Sequence, residues 1–352
     1  MDFRFTDEQL SFRDSLRTAL EKECTPEHVR ALWDTDTGRS VACWAKLAEL
    51  GLLGVLAPEA DGGLELNEVD LVLLLEETGR VALPEPVVET AAVGVPALRS
   101  TPIAAHWLPR VAAGEAILTV GHPLNPFVTD AHVAHLLVLP HAGELHAVPR
   151  AAVTVEPVPC SDPSRRLFRV EWTPRAETRL AAGADAQRAL AAMLDRAALA
   201  CAAQQLGLAQ GMLNMGVRYA SERQQFGKPI GSFQAVKHAL ANVAVRLEFA
   251  RPVVYRAACS VAADRPTRAV EVSHAKVAAS DAAVLAAKTV HQVHGAMGYT
   301  WECDLHIWMK RAWALERTWG GSAWHRARVA AAVIDGGAPW ESFGFGAPSA
   351  DR

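Results

Sequence analysis

The first candidate binding residue in this sequence is an arginine that lies among amide and turn-forming residues. Arg223 lies in "SERQQFGKPIGSFQAVKH", residues 221–238. A planar guanidinium is well suited to a diphosphate, which it binds through paired hydrogen bonds. The same letters also describe a charged helix end followed by a Gly-Lys-Pro turn, which needs no ligand. From these residues alone, both interpretations stay open.

Histidines and cysteines are the other residues with ligand chemistry. His291 and His294 are three residues apart, and no carboxylate or thiol cluster accompanies them. Histidines in such a setting are more often satisfied polar groups than ligands, so we assign no metal. The six cysteines are scattered, without a CxxC pair or a spacing that suits zinc. We expect them to be reduced and mostly buried thiols.

A glycine pair interrupts the last helical pattern of the chain. In "ERTWGGSAWHR", residues 316–326, Gly320 and Gly321 stand between bulky aromatic residues. Glycine adopts backbone conformations that other residues avoid, so the pair predicts a tight turn between two helical segments.

Composition excludes several classes of partner. The chain has 352 residues, of which 50% are apolar, and 35 basic residues stand against 39 acidic ones, for a formal charge of -4. This balance gives no bias toward nucleic acid or an anionic membrane surface. No run reaches the ~18 apolar residues that a membrane span needs. We expect a cytoplasmic protein that binds neither nucleic acid nor a membrane.

The elements that must position these residues are mainly helical. Thr6 and Gln9 form a capping box, which predicts that the first helix starts at Thr6. Short β-rich runs follow the first helices, and long Ala- and Leu-rich helical stretches then continue to about residue 335. Pro252 is expected to kink or break one of them. The pattern predicts a helical domain (1–112), a small β domain (113–180) and a C-terminal helical domain (181–352), with long helices near 185–224, 232–263, 268–296 and 302–335.

Three segments of the chain resemble, in order and spacing, the signature segments of the acyl-CoA dehydrogenases. They are residues 50–80, 221–238 and 290–315, and the second carries the pattern Arg-x-x-Phe-Gly-x-x-Ile-x-x-Phe-Gln. The resemblance implies an N-terminal helical domain, a middle β domain and a C-terminal four-helix bundle, assembled as dimers of dimers with FAD at a subunit interface. It also implies dehydrogenation of an acyl-CoA thioester between Cα and Cβ, with a flavoprotein as electron acceptor.

The resemblance further implies which residues bind FAD. One position departs from the family pattern, because Ala296 stands where members usually have the second glycine of a pair. The implied residues are Arg223, Gln225, Phe226, Phe233, Gln234, Gln292, Gly295 and Ala296, followed by Ser322 and Trp324 beside the glycine pair. Arg311 matches a family arginine that we expect to be structural.

The usual catalytic base of the family is missing from its place. Most members have a glutamate where this chain has Gly320, so we expect the glycine to leave space where a base would stand. A minority of members places the base on the first long helix of the C-terminal domain, one residue before an arginine. The corresponding pair here is Asp195 and Arg196. Asp195 is therefore the candidate base, and an ordinary ion-paired aspartate near a helix start is the alternative.

The middle domain lacks the two family segments that hold the flavin ring, and "TVGHPLNPF" stands roughly where the first would be. A reduced β domain, a missing glutamate and retained FAD segments together resemble the short subunits of heteromeric α2β2 acyl-CoA dehydrogenases from actinobacterial steroid and lipid catabolism. Three hypotheses follow: a subunit whose partner supplies the base, a self-sufficient homo-oligomer that uses Asp195, and a structural subunit without catalysis.

Overall fold

The N-terminal part of the chain is helical in the computed structural model, which describes residues 4–336. The predicted capping box is present, since the Gln9 amide donates to the Thr6 hydroxyl oxygen and the Thr6 amide donates to the Gln9 side chain. A π-helical turn at Val88–Gly94 leads directly into the fifth helix. The helices are α1 (Asp7–Glu23), α2 (Pro26–Trp33), α3 (Val41–Glu49), α4 (Glu68–Arg80), α5 (Val95–Leu98) and α6 (Ala104–Ala112).

Seven short strands form two small sheets after α6. The first sheet has the order β1-β3-β4-β7, with β1 parallel to β3 and the other pairs antiparallel, and the second is antiparallel with the order β2-β6-β5. An apolar cluster that includes Leu137, Val148 and Phe168 fills the region between them. The strands are β1 (Leu118–Val120), β2 (Val128–Thr129), β3 (Leu136–His141), β4 (Glu144–Pro149), β5 (Val153–Val158), β6 (Leu167–Trp172) and β7 (Arg179–Ala182).

Long helices make up the rest of the described chain. Helix α7 (Gly183–Glu222) is followed by a hairpin of β8 (Gln224–Gln225) and β9 (Lys228–Pro229), and then by α8 (Gln234–Ala262) and α9 (Arg268–His294). These three helices pack on one another, and α10 (Leu305–Arg317) packs on α7 and α9, which gives the four-helix bundle. A last helix, α11 (Ser322–Ala330), lies against α9.

Two expectations about the bundle helices have clear outcomes. Helix α8 continues through Pro252, so a break there is wrong, and the alternative of a kink stays a prediction. The expected turn at the glycine pair is confirmed, because the helical stretch predicted near 302–335 divides into α10 and α11 at this point. The domain boundaries at 112 and 180 stay predictions, and residues 337–352 of the predicted C-terminal domain lie outside the described residues.

Helices α4 and α7 approach each other through a pair of glycines. A Cβ atom added to Gly79 would lie 2.0 Å from the Gln204 carbonyl oxygen, and one added to Gly207 would lie 1.9 Å from the Glu76 carbonyl oxygen. Any side chain at either position must push the helices apart. The glycines therefore fix the N-terminal helices closely against the bundle.

Arg311 of α10 joins the three parts of the fold. Its guanidinium is buried, forms an ion pair with Asp162 of the β region and donates a 2.7 Å hydrogen bond to the Leu83 carbonyl oxygen after α4. These contacts agree with the structural role expected for it. Among residues 4–336, no helix has both the length and the apolar character needed to cross a membrane.

Candidate cofactor and base sites

The turn that contains Gly320 has no room for a larger residue. Trp319 and Gly320 have φ angles of 59° and 89°, a region that residues with a Cβ avoid. A Cβ atom on Gly320 would lie 2.8 Å from both the His325 Nε2 atom and the Trp324 Cε3 atom. The expectation that the glycine leaves space for a base is therefore wrong, because α11 folds back and fills this space with its own rings.

Hydrogen bonds from several elements fix this turn. The Trp319 amide donates to the Asn125 side-chain oxygen at 3.0 Å, and the Trp319 carbonyl oxygen lies 2.9 Å from His325 Nε2. The Ser322 amide, at the start of α11, donates to the Glu316 carboxylate at 3.0 Å. The buried ammonium of Lys276 donates to the last carbonyl oxygens of α10, at Leu315 and Glu316. Such contacts satisfy the groups that a helix end leaves unpaired.

Asn125 belongs to "TVGHPLNPF", the segment that stands roughly where the family has its first flavin-ring loop. In this chain the segment packs on the Gly320 turn. The ring centre of His122 is 5.7 Å from that of Trp319, whose side chain is 1% exposed. The segment at the place of the family's first flavin-ring loop and the Gly320 turn thus touch each other directly.

Asp195 of α7 is buried and bound by two arginines. Its carboxylate oxygens lie 3.1 Å from Arg328 of α11 and 3.4 Å from Arg268 of α9, while its side chain is 3% exposed. Burial raises the pKa of the Asp195 carboxyl, and the attraction of the two arginines opposes that rise. Its sequence neighbour Arg196 pairs instead with Glu68 of α4 at 2.7 Å.

A chain of polar contacts connects Asp195 to the Gly320 turn. Arg328 Nη1 also donates to the Ser273 hydroxyl oxygen at 3.3 Å, and that oxygen lies 3.0 Å from His325 Nδ1. Burial lowers the pKa of His325 to about 4, so the ring is neutral at pH 7. Because its Nε2 faces a carbonyl oxygen, we assign the proton to Nε2. The candidate base and the usual base position therefore belong to one packed network, which we call the closed end.

Eight of the ten predicted FAD residues lie instead at the opposite end of the bundle, where α7 and α9 end and α8 begins. A Cβ atom on Gly216 of α7 would lie 3.0 Å from Val290 of α9 and 3.1 Å from Leu240 of α8, so the three helices meet here. Tyr219 and His294 stack with ring centres 4.2 Å apart. We call this group the open end: Arg223, Gln225, Phe226, Phe233, Gln234, Gln292, Gly295 and Ala296.

The side chains at the open end face solvent. Phe226 is 91% exposed at the tip of the hairpin, and the guanidinium of Arg223 forms no ion pair with any carboxylate of residues 4–336. A second cation, Lys228, lies 4.6 Å from the centre of the Phe233 ring. Two cations and two aromatic rings thus stand together, and neither cation has a carboxylate partner in the part of the chain that the structure describes.

Backbone groups at the open end also suit an anion. No side chain caps the first turn of α8, which leaves amide donors free at a helix start. Gly295 ends α9 with a φ angle of 59°, and a Cβ there would meet no atom within 4 Å. The free amide donors, the two cations and the accessible backbone at Gly295 suit the binding of a diphosphate. The two phenylalanine rings suit stacking on a nucleotide base. The open end therefore fits the nucleotide half of FAD.

Ser322 and Trp324 do not join the other eight residues. They flank the Gly320 turn, where the Trp324 ring is 37% exposed and lies 5.5 Å from the Arg328 guanidinium. Ser273, which contacts this region, is 21 residues before His294 on α9, or about 30 Å at 1.5 Å per residue. The predicted cofactor residues thus form two separate groups.

The histidine pair has no ligand geometry. His294 Nδ1 lies 2.8 Å from the Val290 carbonyl oxygen, and His291 packs edge to face on Tyr299. The expectation of satisfied polar groups is therefore correct for His294 and wrong for His291, whose buried Nδ1 has no hydrogen-bond partner among the described residues. Among the described residues, no group of three or more His, Cys, Asp or Glu is arranged to bind a metal.

Family models match most of the chain. The acyl-CoA dehydrogenase N-terminal domain matches residues 6–115, and the acyl-CoA dehydrogenase C-terminal domain matches residues 186–334. The chain belongs to the acyl-CoA dehydrogenase family. These flavoprotein oxidoreductases act on CH–CH donors and carry FAD.

Curated relatives and solved structures agree with this family. Acyl-CoA dehydrogenase IpdE2 from Mycobacterium tuberculosis is 33% identical over 87% of this chain and 91% of its own length. Acyl-CoA dehydrogenase FadE34 from the same organism is 35% identical over 93% of this chain and 48% of its own length. A variant of the Tcur3481-Tcur3483 steroid ACAD matches with a TM-score of 0.85 and 26% identity, over 94% of this chain and 99% of that one. The ChsE4-ChsE5 complex from Mycobacterium tuberculosis matches with a TM-score of 0.85 and 25% identity, over 95% and 99%.

Proposed function

We propose that this acyl-CoA dehydrogenase chain works as one subunit of a heteromeric enzyme, with the catalytic base supplied by a partner subunit. The observation that carries the proposal is the geometry of Gly320. Its left-handed backbone and the 2.8 Å approach of Trp324 and His325 mean that a glutamate at this position would strain the turn and displace these side chains. The similarity to two-component dehydrogenase complexes supports the same arrangement.

The partner must supply what this chain lacks. The α-proton of a thioester is weakly acidic, so its removal needs a base and hydrogen bonds to the developing enolate in a site that excludes water. FAD, when bound, accepts the hydride from Cβ. In our proposal the open end contributes to binding that FAD: Arg223 binds the diphosphate, Gln234 and the first amides of α8 donate hydrogen bonds to it, and Phe226 and Phe233 pack on the adenine.

For the substrate, we propose an acyl-CoA thioester from lipid or steroid side-chain degradation, with a flavoprotein as electron acceptor. The likeness to a steroid acyl-CoA dehydrogenase supports the steroid class. We also propose that the chain consists of three domains, at residues 1–112, 113–180 and 181–352.

Co-expression tests the assignment. The chain is produced alone and together with each full-length acyl-CoA dehydrogenase chain of its genome that carries the glutamate, and mass, flavin content and acceptor-dependent turnover are measured. We expect little flavin and no turnover from the chain alone, and both from one pair. Glutamate to glutamine in that partner should abolish turnover and keep the flavin. Turnover by the chain alone would contradict the proposal.

One observation favours a second candidate, in which Asp195 is the base. Its raised pKa and its connection to the Gly320 turn are features of functional carboxylates. This role requires the carboxylate to leave Arg268 and Arg328 and reach a substrate. Asp195→Asn distinguishes the two: in the active pair we expect turnover to persist, whereas loss of turnover with retained flavin would assign the base to Asp195.

The third hypothesis, a subunit without catalytic contribution, predicts a stable pair whose flavin content and turnover are independent of the open end. A pair that keeps full flavin after Arg223→Ala would support it.

A further inference from the structure

A small buried chamber lies where the three parts of the fold meet. It has a volume of about 30 Å³ and is enclosed by the loop before α3, the π-helical turn, the β region, α7 and α10. Two carboxyl groups line it, those of Glu85 and Glu89, and these residues are 4% and 8% exposed. Neither forms an ion pair with a cation of residues 4–336. Glutamates are rarely buried without such a partner, so we call this cavity the carboxyl chamber.

One oxygen atom of Glu85 lacks a hydrogen-bond partner. Its Oε1 atom accepts a 2.9 Å hydrogen bond from the Ser40 amide at the start of α3, whereas its Oε2 atom is buried without a partner among the described residues. An ionised carboxylate with an unsatisfied buried oxygen is costly, and a proton on that oxygen removes the charge. The geometry therefore favours the protonated carboxyl.

The charges around the carboxyl chamber also indicate a proton. Two of the three arginines that line it form ion pairs with aspartates of the β region: Arg39 with Asp130, and Arg311 with Asp162. Arg165 alone remains for Glu85 and Glu89. Because buried charges need compensation, one of these two carboxyls must carry a proton. Burial raises the pKa of both, and it raises the pKa of Glu85 from 4.5 to about 7, so Glu85 gains or loses its proton near neutral pH.

The neighbouring elements bring further titratable groups toward Glu85. Burial raises the pKa of the three thiols and lowers the pKa of His132, so all four groups are neutral near pH 7. The ammonium of Lys276 is directed away, to the end of α10. The facing groups are Cys24 after α1, Arg39 before α3, Cys43 on α3, Glu89 in the π-helical turn, Asp130, His132, Asp162 and Arg165 in the β region, Cys201 on α7 and Arg311 on α10.

Arg39 links the N-terminal helices to the β region. Its side chain is 6% exposed, pairs with Asp130 and donates a 3.0 Å hydrogen bond to the Ser164 carbonyl oxygen. Trp33, at the end of α2, donates from its Nε1 atom to the Ser164 hydroxyl oxygen at 2.8 Å. We call these contacts between residues 33–40 and the β region the joint.

The guanidinium of Arg39 stands between two acidic groups. Burial raises the pKa of Glu85, and the attraction of Arg39 is the largest effect that opposes this rise. The Arg39 Nε atom is buried and has no hydrogen-bond partner among the described residues, so this side of the guanidinium is unused. Asp130 has a φ angle of 56°, which residues with a Cβ rarely adopt, so its position depends on contacts such as that with Arg39. An ionised Glu85 would compete with Asp130 for the same cation.

We propose that Glu85 is a pH-sensitive switch in the joint between the N-terminal helices and the β region. With a proton on Glu85, Arg39 stays bound to Asp130 and Ser164, and the joint is closed. When Glu85 releases its proton to solvent, the carboxylate attracts Arg39, and the contacts with the β region weaken. The inference does not depend on a partner subunit, since all of these residues belong to one chain.

Urea unfolding of the full chain tests the proton. The folded chain holds the Glu85 proton more tightly than the unfolded chain, so stability from this residue falls as the pH rises from 4.5 to 7. Glu85→Gln keeps the acceptor for the Ser40 amide and cannot ionise. Between pH 5 and pH 8, the unfolding constant of the wild-type chain should rise about 50-fold relative to that of Glu85→Gln. Glu115→Gln, at an exposed position, should follow the wild-type chain.

Two results of this titration would overturn the proposal. One is a parallel pH dependence in the wild-type chain and Glu85→Gln. The other is a wild-type stability at pH 8 that sodium or potassium chloride raises and choline chloride does not, which would assign the missing positive charge to a metal cation.

Hydrogen exchange distinguishes a switch in the joint from a buried acid without further effect. At labelling times too short for the buried helices to exchange, the amides of residues 34–40 and 160–167 should exchange about tenfold faster in the wild-type chain than in Glu85→Gln at pH 8. At pH 5 the two rates should be equal. Comparing both proteins at the same pH removes the intrinsic pH dependence of exchange. Equal rates at pH 8 would show that ionisation leaves the joint closed, and would refute the switch even if the urea result were as expected.

Discussion

The two ends of the C-terminal bundle use the same helices in opposite ways. At the closed end, Asp195, Trp319 and His325 are almost fully buried and bound to neighbours of the same chain. At the open end, Arg223 and Phe226 project into solvent, and α8 begins without a capping side chain. A packed polar network stabilises the chain that contains it, whereas unsatisfied donors and exposed rings are useful only when another molecule binds them.

This difference is what our proposal requires of a family member that takes its base from a partner subunit. The two groups are about 30 Å apart along α9 at 1.5 Å per residue, so one can be filled by the protein's own side chains without disturbing the other. In this chain the position that carries the base in most family members lies against packed side chains. The surface that we propose for the cofactor remains exposed.

Of the variants that test the difference between the two ends, Gly320→Glu is expected to have the largest effect on stability. The substitution combines a left-handed backbone with a Cβ contact of 2.8 Å, which together should lower the free energy of unfolding by about 3 kcal/mol. The mutated complex should gain no turnover from the new carboxylate. Urea unfolding and an acceptor assay measure the two effects.

Gly143→Glu is the control for that variant, since Gly143 has a φ angle of 81° and no atom within 4 Å of a Cβ. It should lower the free energy of unfolding by only about 1 kcal/mol, because backbone strain is then the only contribution. Equal losses for both variants would show that the Gly320 turn has room after all.

The acid sensitivity of the closed end depends on His325. Its pKa of about 4 in the folded chain lies below the ordinary 6.5, so the unfolded chain takes up a proton first as the pH falls. Stability should therefore fall between pH 6.5 and 4, by about 2 to 3 kcal/mol from this residue. In His325→Gln this part of the loss should disappear when urea unfolding is compared at pH 7 and pH 4.5. His141→Gln, at an exposed position, is the control. An equally reduced pH dependence of the free energy of unfolding in this control would contradict the assignment to His325.

Arg223→Ala should disturb the open end without affecting the fold. Loss of charge-assisted hydrogen bonds to a diphosphate is worth about 2 kcal/mol, or roughly a 30-fold weaker affinity of the complex for FAD. The urea midpoint should not change. Arg188, near the start of the same helix and exposed, gives the matched variant, and a similar loss of FAD affinity in Arg188→Ala would point to a general effect of charge.

The smallest effect is expected for Gln234→Ala. Removing one neutral hydrogen-bonding group should weaken FAD binding about five-fold, or about 1 kcal/mol. Flavin titration of the complex measures it, with the exposed Asn242 of α8, changed to Ala, as the comparison. An effect as large as that of Arg223→Ala would mean that Gln234 also positions the partner.

Local signals in the sequence predicted most of the helical framework. The Thr6–Gln9 capping box and the glycine turn have the predicted positions, because both depend on residues close in sequence. Helix α2 was missed, although Thr25 caps it and Pro26 occupies its first position, which are recognisable start signals. Of the kink or break expected at Pro252, the break is wrong, because packing of α8 against α7 and α9 maintains the helix around the lost hydrogen bond.

Local sequence patterns could not predict the contacts of the closed end. Asn125 and Trp319 are 194 residues apart, and Ser273 and His325 are 52 apart, so no spacing in the sequence connects them. Ser273, Arg328 and Lys276 carried no motif and were not recognised. The family resemblance located Gly320 and Asp195, but only the fold shows that side chains of α9 and α11 join them.

The hairpin at the open end bears on the speed and thermodynamics of assembly. Phe226 and Gly227, its two central residues, both have left-handed backbones, with φ angles of 52° and 77°, as the tightest hairpin turns require. The ring of Phe226 is thus presented on a rigid turn before any ligand arrives. Little backbone entropy remains to be lost on binding, so association at this end should resemble rigid docking more than folding of a loop around its ligand.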